Sequence, residues 1–107
     1  MAIQILSAFP NAFLPTEGNT LTLRGISETE AIAIASENEV MSFVGHTSTS
    51  QLFTERLGVK IRAFRGEATP AKASLIGSFT PPRRLAEGEA WSEGEILSMP
   101  IKWLLIG

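Results

Sequence analysis

Seven consecutive residues, Val44-Gly45-His46-Thr47-Ser48-Thr49-Ser50, place the only histidine of the chain between a glycine and a run of hydroxyl side chains. Imidazole is the side chain that gains and loses a proton near neutral pH, so acid–base chemistry falls first on His46. The Thr/Ser run reads as a helix start, where free backbone N–H groups and the helix dipole favour a phosphate. Gly45 lets the backbone approach a ligand closely. Beside a bound phosphate an imidazole can give or take a proton. The same residues would also make an ordinary Thr-rich helix cap carrying an exposed His.

Four arginines, Arg62, Arg65, Arg83 and Arg84, form the second group. A planar guanidinium grips phosphate oxygens in pairs. Arg84 follows Pro81-Pro82 and precedes Leu85-Ala86-Glu87-Gly88, which puts it in a non-repetitive turn. Taken singly, each of these arginines could equally be a solvated surface charge. A third segment, Ser7-Ala8-Phe9-Pro10-Asn11, ends the first apolar strand and offers a hydroxyl and an amide. Trp91 and Trp103 sit in no basic–aromatic array and are expected in the core or an interface.

What the chain lacks narrows the chemistry further. Its 107 residues contain no Cys, no Tyr and no Asp, and all eleven acids are Glu. A disulfide framework, a thiolate zinc site, a Cys nucleophile and a Ser-His-Asp triad are thereby excluded within one chain. No metal site and no cofactor are expected. The net charge of −2 hides three blocks: −4 over residues 1–40, +5 over 41–84 and −3 over 85–107. A basic middle block suits a small anionic ligand better than duplex DNA, which asks for a broad basic face. No apolar run approaches the roughly 20 residues of a membrane span. The N-terminal MAIQILSAF has no basic n-region, so neither a signal peptide nor a membrane partner is expected, and the expected location is cytoplasmic.

These residues must be positioned by a single domain over residues 1–107. Residues 2–6 (AIQIL) predict a first strand, and Thr20–Leu23 (TLTL) alternates as a second. Ser27 with Glu30 forms a capping-box pattern that opens a helix through EAIAIAS. Residues 39–44 alternate as a strand that ends at Gly45, and Thr47–Leu57 predicts a helix closed by Gly58. Val59–Phe64 reads as extended and Lys72–Phe79 as a strand that Pro81-Pro82 must leave. Ser92 with Glu95 repeats the capping box before a short helix, and Ile101–Ile106 is a last, mostly buried strand. The order predicts an α/β domain with a mixed, roughly five-stranded sheet flanked by short helices.

Several of these segments, taken in order, resemble one family. Leu6-Ser7-Ala8-Phe9 with Phe13-Leu14, then Val44-Gly45-His46-Thr47-Ser48-Thr49, Leu57-Gly58 and Arg65 match the pattern. Arg84-Leu85-Ala86-Glu87-Gly88, Ser92-Glu93-Gly94-Glu95-Ile96 and the terminal apolar strand complete it. The family is that of the viral type III anti-CRISPR ring nucleases and their cellular homologues, and the resemblance covers nearly the whole chain. It implies a small α/β homodimer with cyclic tetra-adenylate at the dimer interface. It further implies metal-free cleavage by a ribose 2′-hydroxyl, giving linear products with a 2′,3′-cyclic phosphate and switching off type III CRISPR signalling. A viral member would act in the host cytoplasm.

Carried over by motif, the resemblance makes His46 the general acid, Arg84 the phosphate stabiliser and Glu87 an orienting group. It makes Arg65 a substrate contact, together with Gly45, Thr47, Ser48 and Thr49 and the turn Ser7, Ala8, Phe9, Pro10 and Asn11. The chain departs from the family at Ser7, where Asn is common, and at Pro10, where Ser is frequent. Those departures keep a second reading open, a non-catalytic sponge that binds a cyclic nucleotide and withholds it. A third, a structural or protein-binding module, would leave His46 as a surface residue.

Overall fold

The computed structural model describes all residues except Met1, Asn11, Ala12, Asn19, 70–72, Pro82 and Gly107. Eight elements follow in chain order: β1 (Ala2–Leu6), β2 (Leu23–Ile26), α1 (Glu28–Glu37), β3 (Glu39–Ser42), α2 (Thr47–Leu57), β4 (Ser74–Phe79), α3 (Glu93–Ser98) and β5 (Ile101–Ile106). The strands form one mixed sheet in the order β2-β5-β4-β1-β3. β1 pairs in parallel with β3 and β4, whereas β5 runs antiparallel to both β4 and β2. The expected α/β domain with a five-stranded mixed sheet is therefore the fold observed.

Alternation along the strands divides the apolar residues between two faces. Ile3, Ile5, Leu75 and Trp103 point toward the helices and pack with Ala31, Ala35, Leu52, Phe53, Leu57 and Ile96. Leu6, Ile76 and Ile106 point the other way and are covered by Phe13 and Leu21. Gly77 explains how closely α2 approaches the sheet. A Cβ there would lie 2.6 Å from the Phe53 ring and 2.7 Å from the Trp103 ring. Those two rings pack with centroids 5.1 Å apart.

Polar anchors hold the pieces in place. Gln4 is only 1% exposed. Its amide nitrogen donates to Ser74 Oγ and to the Thr69 carbonyl, and its oxygen accepts from Thr69 N–H. Arg56, near the end of α2, forms an ion pair with Glu28 at 2.7 Å and donates to the carbonyls of Ile96 and Met99. Glu28 also accepts from the Trp103 indole. One guanidinium thus ties α2 to the start of α1 and to the segment that enters β5.

Two expectations shift. The second strand is Leu23–Ile26 rather than residues 20–23, because its register is set by pairing Leu23 with Ile106 and Ile26 with Trp103. Val59–Phe64 contributes no strand to the sheet. It runs beside β3 through a single parallel bridge, Val44 to Ala63, with Ser42 Oγ donating to the Arg62 carbonyl. That packing covers the outer edge of β3. The start of the expected strand at Lys72 lies outside the described residues. No helix among the described residues is long and apolar enough to cross a membrane.

Candidate functional site

β1, β3 and β4 run the same way, so the segments that follow them emerge along one edge of the sheet. In open α/β sheets that carboxyl edge is where ligands bind. Ser7–Pro10 follows β1, Gly45-His46 follows β3, and Arg83–Glu89 lies beyond β4.

His46 is the N-cap of α2, with φ −117° and ψ 134°. Its carbonyl accepts from Ser50 N–H, but its imidazole makes no capping hydrogen bond. The ring is exposed. The first turn of α2 carries no acid, so its backbone N–H groups keep the positive end of the helix dipole uncompensated. Thr47 and Ser48 stand on the outer side of that turn. Thr49 and Ser50 are buried, at 8% and 6% exposure, and face the interior.

A cleft of about 500 Å³ opens against this helix start. His46, Thr47, Ser48 and Gln51 form one wall, and Leu85–Ala90, which includes Glu87, forms the other. The loop is built from its own charges. Arg83 Nε donates to Glu95 Oε2 at 2.8 Å, its Nη2 to Glu95 Oε1 at 3.1 Å and its Nη1 to Glu89 Oε2 at 3.0 Å. Its guanidinium also lies 5.7 Å from the Trp91 ring centre, a cation–π distance. Glu89 accepts from Ala86 N–H at 2.7 Å, closing the turn that Gly88 completes at φ 81°. Glu95 forms the capping box of α3 with Ser92 at the same time.

These contacts shift the carboxyls in one direction. Arg83's hydrogen bonds, followed by the Ser92 backbone N–H, pull Glu95 down to about 2. The Ala86 backbone N–H, followed by Arg83, holds Glu89 below its ordinary value. Arg83 in turn is raised further by Glu95 and Glu89. Side-chain type alone does not separate Arg83 from Arg84, and only the family resemblance singles out Arg84. The structure spends Arg83 on the loop, while Arg84 is exposed and in no ion pair with a described residue. Arg84 stands at the start of the loop without lining the cleft in this single chain.

The turn after β1 makes a second depression of about 370 Å³. Ser7, Ala8, Phe9 and Pro10 line it with Phe43 and 66–68. Asn11 lies outside the described residues. Arg65 links the two depressions, since it adjoins Gly66 in one and donates from Nε to the Gly45 carbonyl, beside His46, at 3.3 Å. Its Cγ would sit 3.5 Å from a Cβ at residue 45, ordinary contact rather than a clash. Arg62 instead flanks β3 with Phe64. Among the described residues no group of three or more His, Cys, Asp or Glu is placed to hold a metal ion.

The fold is that of a small α/β protein whose sheet edge carries an exposed imidazole at a helix start, with arginines close by. The model of the STIV B116-like family matches residues 7–103, and the chain belongs to that family. Among solved structures it is similar to B116 of Sulfolobus turreted icosahedral virus, with a TM-score of 0.73 and 21% identity. That match covers 99% of this chain and 98% of B116, and it shows a shared fold. No curated protein sequence matches the chain.

Proposed function

We propose that the protein is a metal-independent ring nuclease that binds cyclic tetra-adenylate and opens it, acting as a homodimer around the ring. One observation carries the reading. His46, Thr47 and Ser48, at the helix start that the sequence marks for phosphate, share a cleft with Leu85–Ala90, the loop that Arg84 opens about forty residues further on.

In this mechanism a ribose 2′-hydroxyl attacks the adjacent phosphorus and releases its proton to solvent. The P–O5′ bond breaks, leaving a 2′,3′-cyclic phosphate, and His46 supplies the proton taken up by the departing 5′-oxygen. The first-turn N–H groups of α2 and the free guanidinium of Arg84 stabilise the charge on the phosphate oxygens. Arg65 steadies Gly45 and helps hold the ring, Glu87 orients groups across the cleft, and Ser7–Pro10 receives an adjacent nucleotide. A two-fold dimer supplies two copies of His46 to a ring that can share the symmetry, and it brings the basic middle blocks of both chains together. Cleavage would switch off type III CRISPR signalling.

The test is incubation of the protein with labelled cyclic tetra-adenylate in EDTA, followed by separation of products. Linear oligoadenylate ending in a 2′,3′-cyclic phosphate is expected. One observation favours the sponge reading: Pro10, in the turn depression, has no N–H to offer a ligand. Tight binding with the ring recovered intact would establish the sponge and remove the nuclease.

A further inference from the structure

The depression that follows β1 has aromatic walls that the proton chemistry of His46 does not use. Its volume of about 370 Å³ falls in the range of small-ligand sites. Phe9 and Phe43 both line it, and each packs on a different neighbour. Phe9 meets Phe13 edge-on with centroids 6.1 Å apart, and Phe43 meets Phe64 edge-on at 5.8 Å.

The backbone holds the Phe43 side in place. Phe43 N–H donates to the Ile5 carbonyl at 2.9 Å, and Phe64 N–H donates to the Val44 carbonyl at 2.8 Å. Gly66 lets the Phe64 ring lie back over the chain, since a Cβ at that position would collide with it. Phe64 is nonetheless 53% exposed and Phe9 36%. Rings left this open beside a small depression suit the stacking of a flat, aromatic ligand.

Two polar residues give that ligand a direction. Arg65 adjoins the depression and donates to the Gly45 carbonyl beside His46, and it is exposed and in no ion pair with a described residue. A nucleotide phosphate held at Arg65 leaves its base on the Phe43 side. Glu67 lines the depression and is likewise exposed and outside every ion pair among the described residues. An ionised carboxylate only accepts hydrogen bonds. It therefore takes the exocyclic amine of adenine and repels the carbonyl oxygen that hypoxanthine carries at the same position. We propose that this depression is a base subsite, which stacks adenine on Phe43 and reads its amine with Glu67. The inference rests on the reading that the neighbouring cleft holds a nucleotide phosphate, and it adds base selectivity to that reading.

The test is a titration of 13C-labelled protein with adenosine 5′-monophosphate to millimolar concentration, followed at the Phe43 ring resonances. Stacking should shift those protons and give nuclear Overhauser contacts to the adenine ring. Inosine 5′-monophosphate should bind about tenfold more weakly, and Phe43→Leu should weaken the adenine nucleotide by about the same factor. Glu67→Gln, altered only at an exposed position, should fold normally and bind both nucleotides alike, because an amide both donates and accepts. The proposal is overturned if Phe43 does not respond, or if the unaltered protein binds both nucleotides equally. Contacts from a second copy of the chain to the Phe43 ring in nucleotide-free protein, seen with mixed isotope labelling, also overturn it. No bond is cut in this experiment, so its failure leaves the nuclease reading to the ring-opening assay, and an intact ring in that assay leaves the subsite standing.

Discussion

Arg83 and Glu95 meet fork to fork, Nε to Oε2 at 2.8 Å and Nη2 to Oε1 at 3.1 Å, and this pair anchors the wall of the cleft opposite His46. Glu95 caps α3 with the same carboxylate, so the loop from Arg83 to Trp91 is fastened at both ends to one side chain's surroundings.

Replacing Arg83 with Met keeps the stem and removes the fork. Amide exchange over residues 85–90 should quicken while the sheet stays protected. Ring cleavage should fall on the order of tenfold to a hundredfold through misplacement of the wall, although Arg83 itself touches no substrate. Unchanged exchange in the loop would show that the fork does not hold it.

Acid should release the same loop. Glu95 titrates at about 2 in the folded chain, against an ordinary 4.5 when unfolded, and Glu89 is shifted in the same direction. As pH falls below 4.5 the unfolded chain takes up protons first. The stabilisation is therefore complete above that value and is lost progressively toward pH 2. Thermal unfolding followed from pH 6 to 2 should show this decline, and Arg83→Met should flatten it.

Local signals made much of this legible. Ser27–Glu30, Ser92–Glu95 and Gly58 mark helix ends within a few residues of chain, and the helices begin and end there. Strand register was less accessible. The TLTL alternation pointed to residues 20–23, but pairing with β5, some eighty residues away, fixes β2 at 23–26, where Leu23 is 45% exposed. Val59–Phe64 alternates like a strand, yet it makes only one bridge and leaves Phe64 against Phe43 at the surface.

The site followed the same division. His46 and the 84–88 loop were readable as candidates, but their shared cleft depends on how α2 and the loop pack. The roles of Arg83 and Arg56, and the burial of Gln4, depend on distant partners that no spacing reveals. Gln4 in particular reads as a polar break in an apolar run, whereas it is the buried amide that fastens residue 69 to β1.

Gly77→Ala should destabilise the fold by about 1–3 kcal/mol, because the added methyl meets the Phe53 and Trp103 rings in a filled core. Denaturant unfolding measures this, and a neutral result would mean that α2 can lift from the sheet without cost.

Arg56→Met should cost about 3 kcal/mol in the same experiment, since it leaves Glu28 without its cation and two partly buried carbonyls without a donor. Restoring the charge with Lys should recover only part of the loss, because a single ammonium cannot reproduce the fork.

If His46 delivers the proton to the leaving 5′-oxygen, replacing that oxygen with sulfur should remove the need for the imidazole. Sulfur departs as a thiolate without needing a proton. Under single-turnover conditions in EDTA, His46→Ala should slow cleavage of the ordinary ring by about 10²–10⁴-fold. On a ring with sulfur at the scissile 5′ position the same variant should cleave nearly as fast as the unaltered protein. Equal losses on both rings, or no loss on either, would show that His46 is not the proton donor.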